Sequence, residues 1–228
     1  IDTTAAGAVP AGADIAFGST IDGDHALQLT AGDGSIALPA AVGGTVRLDR
    51  FRIVSAANVG DDTVATGPTG AISTGSLEQS AGSGTTKFGA IDTDDLLGVD
   101  LNGTTIALTA GVTTTAGGPV RITNSAVLTI TDTTGAADTA TADIESDGGF
   151  VQDGVGPVEI AGDVTTTADE ISLSGDLTLS GSVRFDSGAS GGNVVLGGTI
   201  DAASAITQDL AIRAGTGSVA VAGAIGSV

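Results

Sequence analysis

Groups of three residues recur along the whole chain, and in each group two aliphatic side chains flank one small or polar side chain. An alternation with period 2 places both aliphatic residues on one face of a β-strand and the middle residue on the other face. Residues that favour turns (Gly, Asp, Asn or Ser) soon follow each group. The pattern predicts many strands of only three to five residues, each with a small buried face. The groups are Leu27–Leu29, Ile36–Leu38, Val46–Leu48, Ile106–Leu108, Val120–Ile122, Leu128–Ile130, Ile171–Leu173, Leu177–Leu179, Leu210–Ile212 and Val219–Val221.

Several segments of the chain resemble one another. Asp14–Asp22 is similar to Asn193–Asp201, and Leu27–Leu38 is similar to Leu210–Val221, at offsets of 179 to 183 residues. Shorter similarities inside the chain have offsets near 19, 21 and 38 residues. These offsets predict a coil of about 20 residues, and therefore about 11 coils, in which each strand pairs with its equivalent in the next coil.

The expected fold is all-β: a right-handed parallel β-helix that forms a single segment over residues 1–228. The handedness follows from the general preference of crossovers between parallel strands. A narrow interior also explains why aromatic residues make up 2% of the chain, with no Trp or Tyr. Two tandem β-sandwich modules are the alternative, although sandwich cores usually contain larger aromatic residues.

Composition and charge exclude several classes of function. A formal net charge of -20 with seven Lys and Arg residues excludes a nucleic-acid binder and argues against an anionic membrane surface. No run of apolar residues is long enough to span a bilayer as a helix. The absence of Cys excludes disulfides and thiolate metal sites, and a single His excludes a site built on two imidazoles.

Four phrases resemble large bacterial surface proteins of the filamentous-haemagglutinin type and the repeats of autotransporter passengers. They are Leu27–Ile36, Ala41–Gly44, Ile106–Thr115 and Leu177–Val183. The resemblance implies secretion, a right-handed β-helical shaft, and a role in adhesion, surface display or filament formation. It carries over no catalytic residue. The expected location is extracellular or on the bacterial cell surface.

The densest acidic cluster contains Asp92, Asp94, Asp95 and Asp100. Because Ca²⁺ prefers carboxylate and carbonyl oxygens, these residues are a candidate calcium site. The sequence suggests no other cofactor. The spacing does not match an EF-hand loop, and a solvated turn is the alternative interpretation.

The only concentration of basic residues contains Arg47, Arg50 and Arg52. On a strongly acidic molecule these arginines would attract an acidic neighbour, so they are a candidate interface. The alternative is a face of internally paired charges, with Arg50 beside Asp49.

Carboxylates could also serve a polysaccharide-cleaving β-helix, for which Asp61–Asp62 and Asp169–Glu170 are the adjacent pairs. Such an enzyme needs a cluster of carboxylates that spans several coils, with a cation beside it. Arg121, Glu159 and Arg184 are too scattered in the sequence to be placed on one face. The scarcity of aromatic platforms for sugar rings argues further against this activity, so we expect no enzyme.

Neither end of the predicted helix has an obvious cap. The segment 210–228 is as aliphatic as the middle of the chain, whereas solenoids usually need polar caps. We therefore expect the chain to continue into further modules of about 180 residues or to stack end to end on another copy. The expected function is a structural or adhesive fibre whose partners are copies of itself and a host-cell or matrix surface. A carbohydrate-active enzyme and a calcium-dependent tandem-sandwich adhesin module are the alternatives.

Overall fold

The computed structural model of the chain describes residues 1–60, 70–133, 143–204 and 208–226. Within these ranges every regular element is a β-strand and every strand pair is parallel. The first twelve strands are β1 (Ile15–Ala16), β2 (Ala26–Thr30), β3 (Ile36–Ala37), β4 (Leu48–Ser55), β5 (Ile72–Gln79), β6 (Thr85–Phe88), β7 (Ile91–Thr93), β8 (Val99–Gly103), β9 (Thr105–Leu108), β10 (Val112–Thr114), β11 (Val120–Asn124) and β12 (Leu128–Ile130). The remaining strands are β13 (Ile144–Ser146), β14 (Phe150–Gln152), β15 (Val158–Ile160), β16 (Val164–Thr166), β17 (Ile171–Leu173), β18 (Leu177–Leu179), β19 (Val183–Asp186), β20 (Val194–Leu196), β21 (Ile200–Ala202), β22 (Leu210–Arg213) and β23 (Val219–Val221).

The strands stack into three faces of a solenoid. Face 1 contains the first part of β5 followed by β7, β10, β13, β16, β19 and β22. Face 2 contains β2, the later parts of β4 and β5, and then β8, β11, β14, β17, β20 and β23. Face 3 contains β1 and β3, followed by β6, β9, β12, β15, β18 and β21. The chain visits face 1, face 2 and face 3 in each turn.

This architecture confirms the predicted parallel solenoid, and the tandem-sandwich alternative is wrong because a sandwich requires antiparallel pairs. The solenoid has about 8 turns of ~22 residues. The turns are therefore fewer and longer than the predicted 11 coils of about 20 residues. The connections between faces vary in length, which the sequence offsets did not reveal. Val112, for example, pairs with Ile91 on one side and with the more distant Ile144 on the other. The right-handed sense of the coil stays a prediction.

The core is a column of aliphatic side chains inside the three faces. In most three-residue strands the two outer residues are buried and the middle one is half-buried on the outer side, as in Leu128 and Ile130 on either side of Thr129. Four of the five Phe residues are fully buried. Phe150 lies in register between Val120 and Ile171, so a large ring packs between smaller side chains of the adjacent turns.

Polar side chains also enter the column, at the corner between face 2 and face 3. Gln79, Asn124 and Gln152 are each at most 1% exposed. Gln152 Nε2 donates to Asn124 Oδ1 at 2.7 Å, and Asn124 Nδ2 donates to the carbonyl oxygen of Ala126. These amides bind backbone and side-chain groups that the corner would otherwise leave without partners inside the protein.

The similar segments near the two ends lie on different faces. Leu27–Leu29 belongs to face 2, whereas the matching Leu210–Ile212 belongs to face 1. Ile36 lies on face 3, whereas the matching Val219–Val221 lies on face 2. The similarity therefore describes a strand–corner–strand motif that different pairs of faces can adopt. It gives no module length by itself, and continuation into further modules stays a prediction.

The last described turn exposes side chains that occupy inward positions. Val219 pairs in register with Val194, and Ile225 bridges Ile200. Val194 and Ile200 are 0% and 2% exposed, whereas Val219 and Ile225 are 50% and 67% exposed. The difference arises because a following turn covers the first pair and, in the described part of the chain, no turn covers the second.

The first turn is covered in part. Asp2 bridges Thr30 of β2, and the amide of Thr30 donates to the carbonyl oxygen of Ile1 at 2.9 Å. Within the described residues, β1 on face 3 pairs only with β3. The two ends of the stack therefore differ, since one has a short extended segment on face 2 and the other ends on open strands.

Candidate functional site

The predicted interface arginines are held by carboxylates of other turns. Arg50 and Arg52 both contact Glu78, and Arg52 Nε lies 3.0 Å from Glu78 Oε1. Arg47 contacts Asp92 in the same way. The paired-charge interpretation thus has support, but the partners are one or two turns away and not the adjacent aspartate. The role of these arginines as an interface stays a prediction.

Two of the predicted calcium ligands are the partners of Arg47. Its guanidinium contacts Asp92 and places Nε 3.3 Å from Asp94 Oδ2. Asp95 Oδ1 accepts a hydrogen bond from the amide of Leu97 at 2.9 Å and so stabilises a turn. No group of three or more His, Asp or Glu side chains that could hold a metal ion occurs in the part of the chain that the structure describes. The structure gives three of these carboxylates other partners, and the calcium site stays a prediction.

Asp100, the fourth predicted ligand, belongs to a ladder of charges on the outside of face 2. Arg52, Glu78, Asp100 and Arg121 occupy the same position in four successive turns. Opposite charges on adjacent strands stabilise a sheet, and like charges directly opposite each other destabilise it. The order of signs places an arginine at each end of two adjacent carboxylates.

The two carboxylates in the middle of this ladder have opposite pKa shifts. Burial raises the pKa of Glu78. The hydrogen bond from Ser80 and the interactions with Arg50 and Arg52 lower this pKa by a larger amount, so it lies below its usual value. Burial raises the pKa of Asp100, and the charge of Glu78 adds to the increase. Arg121 opposes that increase and Asp153 adds to it. Arg50 and Arg52 of the preceding turn thus hold Glu78 as a carboxylate, although Asp100 lies on its other side.

The residues considered for polysaccharide cleavage do not come together. Arg121 lies on face 2, Glu159 on face 3 and Arg184 on face 1. Asp169–Glu170 is an exposed pair in the connection from β16 to β17, and Asp61–Asp62 lies outside the described residues. The absence of enzymatic activity stays a prediction.

Sequence reasoning missed a buried acidic pair in the connections from face 3 to face 1. Asp143 and Asp163 are 2% and 6% exposed, and Asp143 Oδ2 accepts a hydrogen bond from the amide of Asp163 at 3.0 Å. Asp163 Oδ1 accepts from the amide of Arg184 at 2.7 Å. Burial raises the pKa of Asp163; hydrogen bonds and charge from Arg184 oppose the increase, and the charge of Asp143 adds to it. Their separation of about one turn could have revealed the pair only if the turn lengths had been known.

A groove of about 600 Å³ runs parallel to the solenoid axis, along the corner between face 2 and face 3. Its lining comes from that corner in successive turns, from Pro10 to Val155. Most of the lining residues are small and polar, and none is aromatic. The polar side chains of the lining include Ser80, Asn102, Thr123, Ser125 and Asp153.

Comparison of the chain with models of known families, with characterised proteins and with solved structures gives no match. The residues that the structure describes contain no helix with the length and apolar character needed to cross a membrane. The groove, the charged ladder and the open last turn are therefore interpreted from their own chemistry.

Proposed function

We propose that the protein is a structural and adhesive module of an extracellular or bacterial cell-surface fibre, of the kind that its filamentous-haemagglutinin-like phrases suggest. Its open last turn would pair with the first turn of another solenoid segment, either in a second copy or further along the same polypeptide. The uncovered inward positions of that turn are the observation that supports this function.

The chemistry of the last turn favours another solenoid as the partner. The outer edges of β22 and β23 carry backbone groups that no further strand in the described residues binds, and such edges readily accept a parallel strand. A following turn would also bury Val219, Val221 and Ile225 as Val194 and Ile200 are buried. Burial of these three partly exposed side chains would contribute about 3 kcal/mol.

The charge distribution supports a fibre whose shafts stay apart. A net charge of -20 repels parallel shafts sideways and so favours contact at the ends over contact along the sides. The charges on face 2 are paired along the axis, which leaves them little tendency to bridge two shafts.

The test compares two double variants with the unmodified chain by sedimentation velocity and electron microscopy over a range of concentrations. Val219→Lys/Ile225→Lys places two charges on the open edge, where both side chains are at least half exposed. Leu96→Lys/Leu97→Lys is the matched control, because these side chains are 73% and 60% exposed but lie at a side corner of the shaft.

We expect the unmodified chain and the Leu96/Leu97 variant to form rods that lengthen with concentration, and the edge variant to remain a single chain. Single particles of the unmodified chain at every concentration would contradict self-stacking, as would edge-variant rods of the same length as those of the control.

A further inference from the structure

The axial groove has a regular row of hydrogen-bonding groups on one wall. Asn102 lies in register with Thr123, and Thr123 Oγ1 donates to Asp153 Oδ1 at 2.5 Å in the next turn. Ser80 directly follows Gln79, which pairs with the residue before Asn102. The row therefore places one hydroxyl, amide or carboxylate group in each of four turns, at intervals of about 4.8 Å. The hydroxyls of Ser80 and Thr123 already donate to Glu78 and Asp153, so they would act toward a ligand as acceptors.

Two of the glycines at the base of the groove lie close against the neighbouring turn or the core. A Cβ atom on Gly154 would lie 2.1 Å from the backbone oxygen of Asn124, and a Cβ atom on Gly103 would lie 3.2 Å from Gln79 Nε2. A side chain at either position would be pressed against atoms of the adjacent turn or the core, so close stacking of the turns at this corner favours glycine.

The spacing and chemistry of this row select among polymeric ligands. One turn of the solenoid is close to the length of one sugar ring in an extended polysaccharide, so successive sugars could each lie against one turn. An extended peptide repeats at about 3.4 Å per residue, which does not match the interval of about 4.8 Å between members of the row. Asp33 and Asp153 in the lining and the net charge of -20 disfavour a polyanion.

We propose that the groove binds an extended, neutral polysaccharide whose axis is parallel to that of the solenoid. The hydroxyl and amide side chains of the row would exchange hydrogen bonds with sugar hydroxyls. Without aromatic platforms, each sugar would contribute little, and binding would depend on several turns acting together. The inference rests on the adhesive part of the proposed function, since it names the surface polymer to which the shaft adheres.

Affinity electrophoresis tests the proposal, because the strongly acidic chain migrates well in native gels. The probe is hydroxyethyl cellulose, a linear neutral polysaccharide, and dextran serves as a differently linked comparison. Ser125→Trp puts a bulky ring at an exposed position in the groove, and Asn102→Ala/Thr123→Ala removes two members of the row. Ser180→Trp is the control, because Ser180 is also exposed but lies in the connection from face 3 to face 1.

We expect hydroxyethyl cellulose to retard the unmodified chain, and both groove changes to weaken that binding about tenfold. Ser180→Trp should leave binding within about twofold. Far-UV circular dichroism would verify that all variants keep their strand content.

Three results would overturn the proposal. The first is an absence of retardation by both polysaccharides, the second is equal retardation of the Ser125→Trp and Ser180→Trp variants, and the third is stronger binding of unfolded casein than of either polysaccharide. The Val219→Lys/Ile225→Lys variant should still bind the polysaccharide, so a failure of end-to-end stacking and a failure of groove binding are distinguishable.

Discussion

Replacement of Gln152 by leucine is expected to destabilise the protein much more than the same replacement of Gln79. The two residues occupy equivalent inward positions on face 2, since Gln79 pairs with Leu101 and Gln152 pairs with Ile122. Leu173, the next residue in this column, is also aliphatic. A leucine therefore suits the column at both positions, and the difference between the variants should come from the hydrogen bonds that each amide makes.

Gln152 makes several hydrogen bonds inside the protein. Its Nε2 donates to Asn124 Oδ1 at 2.7 Å and to the carbonyl oxygen of Gly154 at 2.9 Å, while its Oε1 accepts from the amide of Gly175 at 3.0 Å. Leucine would leave these groups without that partner, at about 1–3 kcal/mol for each group that finds no other. The larger buried apolar surface offsets part of this loss, so the net destabilisation should be about 2–4 kcal/mol.

Gln79 makes fewer hydrogen bonds than Gln152. Its Nε2 donates to Thr86 Oγ1 at 2.7 Å and to the carbonyl oxygen of Asn102 at 3.2 Å, but its buried Oε1 has no hydrogen-bond partner in the described structure. Leucine would remove that unpaired acceptor along with the two donated bonds. The free energy of unfolding should therefore change by less than about 1 kcal/mol.

Thermal unfolding followed by far-UV circular dichroism measures the difference. For a chain of this size, 1 kcal/mol corresponds to about 2–4 °C in Tm. Gln152→Leu should lower Tm by roughly 5–15 °C, and Gln79→Leu should change it by no more than about 4 °C. Equal losses in the two variants would refute the argument, because they would mean that the amide hydrogen bonds do not decide the outcome.

Three further outcomes are expected. Gly156→Ala should destabilise the protein by more than about 2 kcal/mol in urea unfolding, because the new Cβ would lie 1.8 Å from the backbone oxygen of Ala126. Gly18→Ala is the control and should be tolerated, because Gly18 has open space around it. Equal effects of the two substitutions would contradict this prediction. Asp163→Asn should gain stability relative to the unmodified chain as pH rises above the usual Asp pKa. The pKa of Asp163 is raised in the folded state, so the unmodified chain loses stability as this carboxyl ionises. Parallel curves of Tm against pH for the two proteins would show that Asp163 is not responsible. Removal of divalent ions with EDTA should leave Tm unchanged, because Arg47 already binds two of the predicted calcium ligands, and a large fall in Tm would instead support the calcium prediction.

The sequence predicted the strands and their buried faces because both depend on local alternation. Leu128–Ile130 and Ile171–Leu173 are strands whose outer residues are buried, as expected. The predicted number of turns was wrong because the length of each turn depends on the connections between strands. Leu108 is followed closely by the next strand at Val112, whereas Ile130 is separated from Ile144 by a much longer connection, and neither length follows from the strand pattern.

The candidate sites were harder to predict because they depend on which turns lie side by side. Arg47 contacts Asp92 two turns further along, and this pairing requires the lengths of both turns. Gln79 faces inward at the end of a strand in which Thr74 and Ser76 are also buried. Such a polar stretch has no hydrophobic alternation, so nothing in its pattern predicts that it forms part of the core.

The in-register stacking of apolar residues on face 2 would allow the protein to lose or gain whole turns of the solenoid. Phe150 pairs with Ile171, and Ile171 pairs with Val194, so loss of residues 171–193 would bring Val194 against Phe150 with all three faces intact. Each such deletion or duplication would change the length of the solenoid by about 4.8 Å and require no new fold. Recombination within the gene could therefore change the length of the solenoid by whole turns.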